Sequence, residues 1–166
     1  MGRKSRPSRS KLPRVRPAGA HDLDCLTALA SLLFAAHAAG GERFALRSGR
    51  ELELRALLAG WLRDPARDLR VVEAAGSLVG FVAVSLALRS GPFVESERGA
   101  IDWLFVREEA RRGGAGRALA EAALAWLRER GVRRVEIQVA RANTTGSAFW
   151  RALGFAPAMD VLDLHL

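Results

Sequence analysis

The 166-residue chain contains no tyrosine, so no phenol is available for proton transfer. It has one cysteine, Cys25, which excludes an internal disulfide framework and a cysteine-based zinc cluster. His21, His37 and His165 lie far apart without ligand spacing, which argues against a dedicated metal site. No internal repeat or interdomain linker appears. The early apolar run, residues 25–36, is too short and too polar to cross a membrane, and His37 interrupts it. Asp22 and Asp24 stand directly before that run, where a helix start wants acids and a signal peptide does not. Asp24 also fills the position that a lipobox would give to a small residue. The run is expected to be a buried amphipathic helix with Asp22 as its N-cap, and the protein is expected to be cytoplasmic.

Acidic residues are missing from positions 1–17, which hold Arg3, Lys4, Arg6, Arg9, Lys11, Arg14 and Arg16. The formal net charge is +8; of 26 basic residues, the 19 outside that stretch face 18 acidic ones. The rest of the chain is therefore close to neutral. Residues 1–12 also carry Pro7, Gly2, Ser5, Ser8 and Ser10 and show no apolar periodicity, so they are expected to form a disordered basic tail. Such a tail either aids solubility or touches nucleic acid through phosphate contacts. Residues 13–166 are expected to form one domain, long enough to bury about 70% of the unfolded surface without staples.

What is present alternates between strands and helices. A first strand is expected at 13–17 and a helix at 22–37. A second helix, 51–62, has Leu54, Leu57, Leu58 and Trp61 at helical spacing, and Asp64-Pro65 stops it. Strands are expected at 69–74, 78–88 and 99–106, with a loop at 89–98 that carries Glu95 and Glu97. A helix at 115–130 buries Leu119, Ala122, Ala123, Trp126 and Leu127. A strand at 133–139, a helix at 144–153 and one or two strands within 155–166 complete the order. The fold class is α/β (α+β). The unit 99–106, glycine loop, 115–130, 133–139 is a βαβ crossover, so its two strands should be parallel neighbours. The earlier strands, joined by short turns, should be antiparallel.

Arg111-Arg112-Gly113-Gly114-Ala115-Gly116 falls directly between a strand and a helix. Glycines let backbone N–H groups converge there, and the helix start adds unpaired donors and the positive dipole end. Arg111, Arg112 and Arg117 contribute charge with phosphate-matching geometry. A phosphate or pyrophosphate is the group such a loop suits. The dinucleotide pattern fails, because its third glycine would fall at Leu119, and no Gly-Lys-Ser/Thr is present for a P-loop. An ordinary strand-to-helix turn with surface arginines would have the same outline.

The string Val106-x4-Arg111-x2-Gly114-x-Gly116 is followed, 27 residues after Gly116, by Asn143-x2-Gly146-x2-Phe149-Trp150-Arg151-x-Leu153-Gly154-Phe155. In this order and spacing the two segments resemble the GCN5-related N-acetyltransferase (GNAT) superfamily. They match its acetyl-CoA signature and its downstream Asn…aromatic-aromatic…Gly-Phe segment. Val15-Arg16-Pro17-Ala18, followed by Asp22-Leu23-Asp24, is similar to that family's first strand and helix. The resemblance covers roughly residues 13–166. It implies a central mixed, mostly antiparallel sheet with a splayed parallel pair and flanking helices.

The resemblance also implies a cofactor site. Amides of Arg111, Arg112, Gly113, Gly114, Ala115, Gly116 and Arg117 would hold the CoA pyrophosphate. The strand segment Leu104, Phe105, Val106 would take the pantetheine arm like an added strand, through the backbones of Leu104 and Val106. Asn143, Phe149 and Trp150 would complete the site; Asn143 is equally suited to cap the following helix. Acetyl-CoA would be the co-substrate, with no metal and no membrane, and a homodimer is the family-level expectation.

The implied chemistry is direct attack of a neutral amine on the thioester. The amine must first lose a proton, since an alkyl ammonium has a pKa of about 10.4. The Val106 N–H is the implied oxyanion donor. The family's usual acid, a tyrosine, is replaced here by Trp150, and an indole donates a hydrogen bond but no proton. The thiolate would then leave as such or take a proton from water; Trp150 would shape the thioester pocket or serve packing alone. Asp102, set in the apolar run Ile101-Asp102-Trp103-Leu104-Phe105, is the candidate base, although simple alternation would also turn it to solvent. Glu95 and Glu97 are alternative bases or a recruiting pair for a cationic substrate. The acceptor is a small cationic metabolite or drug, or a protein amine. The alternative from another class is an acyl-CoA-binding regulator with little turnover.

Overall fold

The computed structural model describes residues 13–38, 46–47, 49–88, 97–162 and 164. The expected tail 1–12, Glu95 and His165 lie outside the described residues. The elements run β1 (Arg14–Pro17), α1 (Leu23–Ala38), α2 (Glu51–Trp61), β2 (Arg67–Ala74), β3 (Ser77–Leu88), β4 (Glu97–Val106), α3 (Ala115–Glu129), β5 (Val135–Ile137) and α4 (Thr144–Ala152). Short 3-10 turns precede α1 and follow β4. No helix among the described residues is long and apolar enough to cross a membrane.

The five strands lie in the order β1-β2-β3-β4-β5. The first four pair antiparallel and β4 pairs parallel with β5, as the crossover requires. Each face of the sheet carries its own core. On one face, Val72, Val82, Val84, Ile101 and Val106 meet α3 through Leu119, Ala123, Trp126 and Leu127, and meet Trp150 of α4. On the other, Leu69, Val71, Phe81, Ala83 and Phe105 meet Leu26, Leu29, Ala30 and Leu33 of α1 and Leu54 and Leu58 of α2. Both sets follow helical spacing against strand alternation. Gly80 lets β3 lie close to the end of β4, because a Cβ there would stand 2.5 Å from the Phe105 carbonyl oxygen.

Four expectations need correction. Asp22 does not start α1: it ends the 3-10 turn, and its carboxylate turns back to the Arg16 guanidinium at 2.7 and 2.8 Å and to the Gly19 N–H at 2.8 Å. An ionic bidentate partner outcompetes a helix-start amide. Glu97 belongs to β4 rather than to the preceding loop, since its pairing with Leu88 extends the ladder. β5 is three residues long, not seven, because its pairing with β4 ends at Ile101↔Ile137. No strand forms among the described residues of 155–166. Pro157 lacks a ladder donor there, and β5 offers only a short edge.

Candidate functional site

Two irregularities of β4 organise the site. The first is a β-bulge. The β3–β4 register passes from Ala83↔Trp103 to Val84↔Ile101, leaving Asp102 with no residue opposite it. The extra residue resets the alternation, so Ile101 stays in the α3-side core while Asp102 and Trp103 both serve the α1/α2 side. Asp102 is thus not a solvent-facing strand residue. Its Oδ2 accepts from Arg67 Nη1 at 2.9 Å and its Oδ1 from the Ser85 hydroxyl at 3.2 Å. Its side chain is 23% exposed. Burial pushes its carboxyl above the ordinary value, while the Ser85 hydrogen bond and the Arg67 guanidinium hold it down.

The second irregularity is the gap past Ile101↔Ile137, where β4 and β5 separate. Arg107 N–H donates to Val79 O at 2.8 Å, and bonded and non-bonded pairs alternate along an antiparallel ladder. With Phe81 opposite Phe105, the Phe105 backbone therefore faces β3. Leu104 and Val106 turn their N–H and C=O groups the other way, into the gap. The Val106 carbonyl accepts there from Arg111 Nε at 3.0 Å.

The glycine loop closes one end of this gap. Gly114 is the N-cap of α3 in the left-handed conformation (φ 86°), which a side chain would strain, and no side chain caps the helix. The Ala118 N–H, bonded to Gly114 O at 2.9 Å, is the first to find a helical acceptor. The amides of Ala115, Gly116 and Arg117 ahead of it have none, which is the anion-binding geometry of a helix start. Arg112, at φ 63°, Gly113 and Arg117 are exposed around them, and Arg117 lies 3.7 Å from Glu121. Ala115 is buried against the α3-side core.

The downstream segment converges on the same place. A Cβ on Gly116 would stand 3.5 Å from the Phe149 ring and 3.8 Å from Val106 Cγ2. Phe149 meets Trp150 edge to face at 4.9 Å, and Trp150 meets Phe155 at 5.2 Å. Trp150 is 6% exposed and is a core residue as well as a wall. Asn143 caps α4 by accepting from the Gly146 N–H at 2.8 Å. The structure thus brings together Leu104, Val106, Arg111, Gly114, Gly116 and Phe149, and sets Asp102 further back along β4. Glu97 sits apart, exposed at the start of β4. The sequence did not single out Ser85 or Arg67. Ser85 was readable as the one hydroxyl between Leu78 and Leu88, but Arg67 carries no local signal.

A mixed sheet with a split parallel pair, amides turned into the split and an uncapped helix at its end is a distinctive arrangement. The model of the acetyltransferase (GNAT) family matches residues 35–155. The chain belongs to that family. Over 94 residues it is 39% identical to a mycothiol acetyltransferase from Salinispora tropica, a match that covers 56% of this chain and 30% of that protein. The chain thus spans under a third of that relative's length. Its fold is similar to that of a tetramutant BH1408 protein from Bacillus halodurans (TM-score 0.81, 20% identity, 92% of this chain and 99% of the other). It is also similar to that of the aminoglycoside N-acetyltransferase AAC(6')-Iy in complex with CoA (TM-score 0.80, 18% identity, 98% and 99%).

Proposed function

We propose that this chain is an acetyl-CoA-dependent N-acetyltransferase that passes the acetyl group directly to a primary amine. The observation that carries the reading is the β4–β5 gap, with the Leu104 and Val106 backbones directed into it and the uncapped start of α3 at its end. A pantetheine arm has amide groups spaced to bond such an edge, and a pyrophosphate suits the amides of residues 112–117, the Arg111 N–H being given to Glu108 O at 3.1 Å. Arg112 and Arg117 add charge at that end, and Phe149 flanks it beside Gly116.

Acetyl-CoA supplies an activated thioester carbonyl. The chain's residues do the rest. Asp102, ionised, takes the proton from the acceptor ammonium, directly or through a water. The Val106 N–H, facing the gap, donates to the developing oxyanion. Trp150 packs behind Phe149 and gives no proton, so the CoA sulfur leaves as thiolate or is protonated by water. The family membership and the partial match to mycothiol acetyltransferase support acetyl transfer. The acceptor we favour is a small cationic amine, because a carboxylate and aromatic rings meet beside the bulge.

The test is release of free CoA thiol with acetyl-CoA and a panel of small amines, aminoglycosides and peptide amines. Turnover on one class of amine is the expected result. Tight acetyl-CoA binding with no turnover on any amine would instead make the chain an acyl-CoA-binding regulator.

A further inference from the structure

Arg67 is the first residue of β2, two strands away from β4, yet it reaches the bulge. Its guanidinium donates to Asp102 Oδ2 at 2.9 Å, lies 3.4 Å from Asp64 and stacks 4.3 Å from the Trp61 ring centroid. Trp61 is held in turn by Trp103, with centroids 4.4 Å apart, and Trp103 by Phe34 at 5.0 Å. Elements α1, α2, β2 and β4 thus meet in a single stack that ends on the carboxylate. The register explains the reach: Arg67 pairs with Ser85, and Ser85 with Ala100, so all three share the face on which the bulge places Asp102.

Resting on the reading of Asp102 as base, we infer that Arg67 is a positioning residue that keeps Asp102 ionised and aimed during acetyl transfer. Burial favours the neutral form of a carboxyl, and a cation within hydrogen-bond reach favours the ionised form that a base needs. Arg67 and Ser85 each engage one oxygen, leaving a further lone pair on both for the acceptor. Among the described residues, the other charged or titratable groups near this face include Asp64, Arg98, Glu136 and His37. Asp64 sits behind Arg67. Arg98 of β4 is paired with Glu136 of β5. From α1 and α2 come Phe34 and Trp61, which carry no charge, and His37, one turn beyond Phe34, is the titratable group at the end of α1.

The experiment measures kcat/KM against pH for one amine with wild type, Arg67→Gln, Arg67→Lys, Ser85→Ala and Asp102→Asn, with melting temperature alongside. Because the amine is the same throughout, its own ionisation cancels between variants. Arg67→Gln is expected to move the acid limb up by about one pH unit, an approximately tenfold loss at pH values below the limb, with the rate returning to within a few-fold of wild type above it. Arg67→Lys should restore most of the shift. Ser85→Ala should move the limb the same way by less, and it keeps the proposal testable if Arg67→Gln does not fold. A limb that stays in place in Arg67→Gln and Ser85→Ala, but vanishes in Asp102→Asn, would overturn the role of Arg67 and leave Asp102 as base. A limb that persists in Asp102→Asn would overturn both.

Discussion

Two of the aspartates that pair with an arginine, Asp22 and Asp102, are held in opposite ways. Asp22, at the turn before α1, takes both arms of Arg16, at 2.7 and 2.8 Å, and the Gly19 N–H. Arg16 also reaches Glu73 of β2 at 2.8 Å. The Arg16 hydrogen bond is the chief reason that the Asp22 carboxyl falls to about 2. Asp102, at the β4 bulge, has one arginine contact and one hydroxyl, and burial prevails over both, so its carboxyl rises. The first arrangement saturates the charge and ties β1, the turn and β2 together. The second leaves the carboxylate with capacity to accept, and it lies along the strand whose amides face the gap. The number and type of donors, not burial alone, separates the saturated Asp22 carboxylate from the one we propose as base.

The largest expected effect follows from Asp102. Asp102→Asn should lower kcat by about 10²–10⁴ with little change in melting temperature, as removal of a general base does. Asp22→Asn should do the reverse: turnover per folded molecule unchanged and stability reduced. If both variants behaved alike, the distinction between the two corners would fail. At the other end of the gap, Gly116→Val, whose side chain would press on Phe149, should raise KM for acetyl-CoA about tenfold and leave kcat within a few-fold, measured in the same thiol assay.

Acid unfolding sharpens the comparison on the Asp22 side. Its folded pKa of about 2 lies below the ordinary value of 3.8, so the carboxylate contributes stability that is present above about pH 4 and lost as pH falls towards 2. Urea titrations across that range should show about 1–2 kcal/mol of extra stability loss in wild type relative to Asp22→Asn. Equal slopes in the two proteins would remove Asp22 from the account of acid sensitivity. The smallest effect is expected from Trp150→Phe, with turnover within about threefold of wild type, because an indole supplies no proton to lose.

The parallel pair, the crossover helix and the glycine loop were legible in the sequence because each rests on local chemistry. Gly114 answers a left-handed φ, the apolar stripe of α3 answers helical spacing, and strand–loop–helix–strand order dictates a crossover. Asp102 stood out for the same reason, as a charge inside an apolar strand. Its partners did not. Arg67 and Ser85 reach it through the registers of two antiparallel ladders, and the bulge exists only as a mismatch of count between β3 and β4. The shortness of β5 was hidden for a similar reason: Val135 to Val139 alternate as a strand should, but pairing ends where β4 turns away. Asp22 misled because an acid before an apolar run suits a helix cap equally well until a guanidinium is found within reach.

The most direct measurement is steady-state release of CoA thiol from acetyl-CoA by the folded chain across the amine panel, with Asp102→Asn and Asp22→Asn run beside wild type. Turnover on a small cationic amine that collapses in Asp102→Asn and survives in Asp22→Asn is the expected result. Turnover that is unaffected in Asp102→Asn, or absent from wild type on every amine despite bound acetyl-CoA, would contradict it.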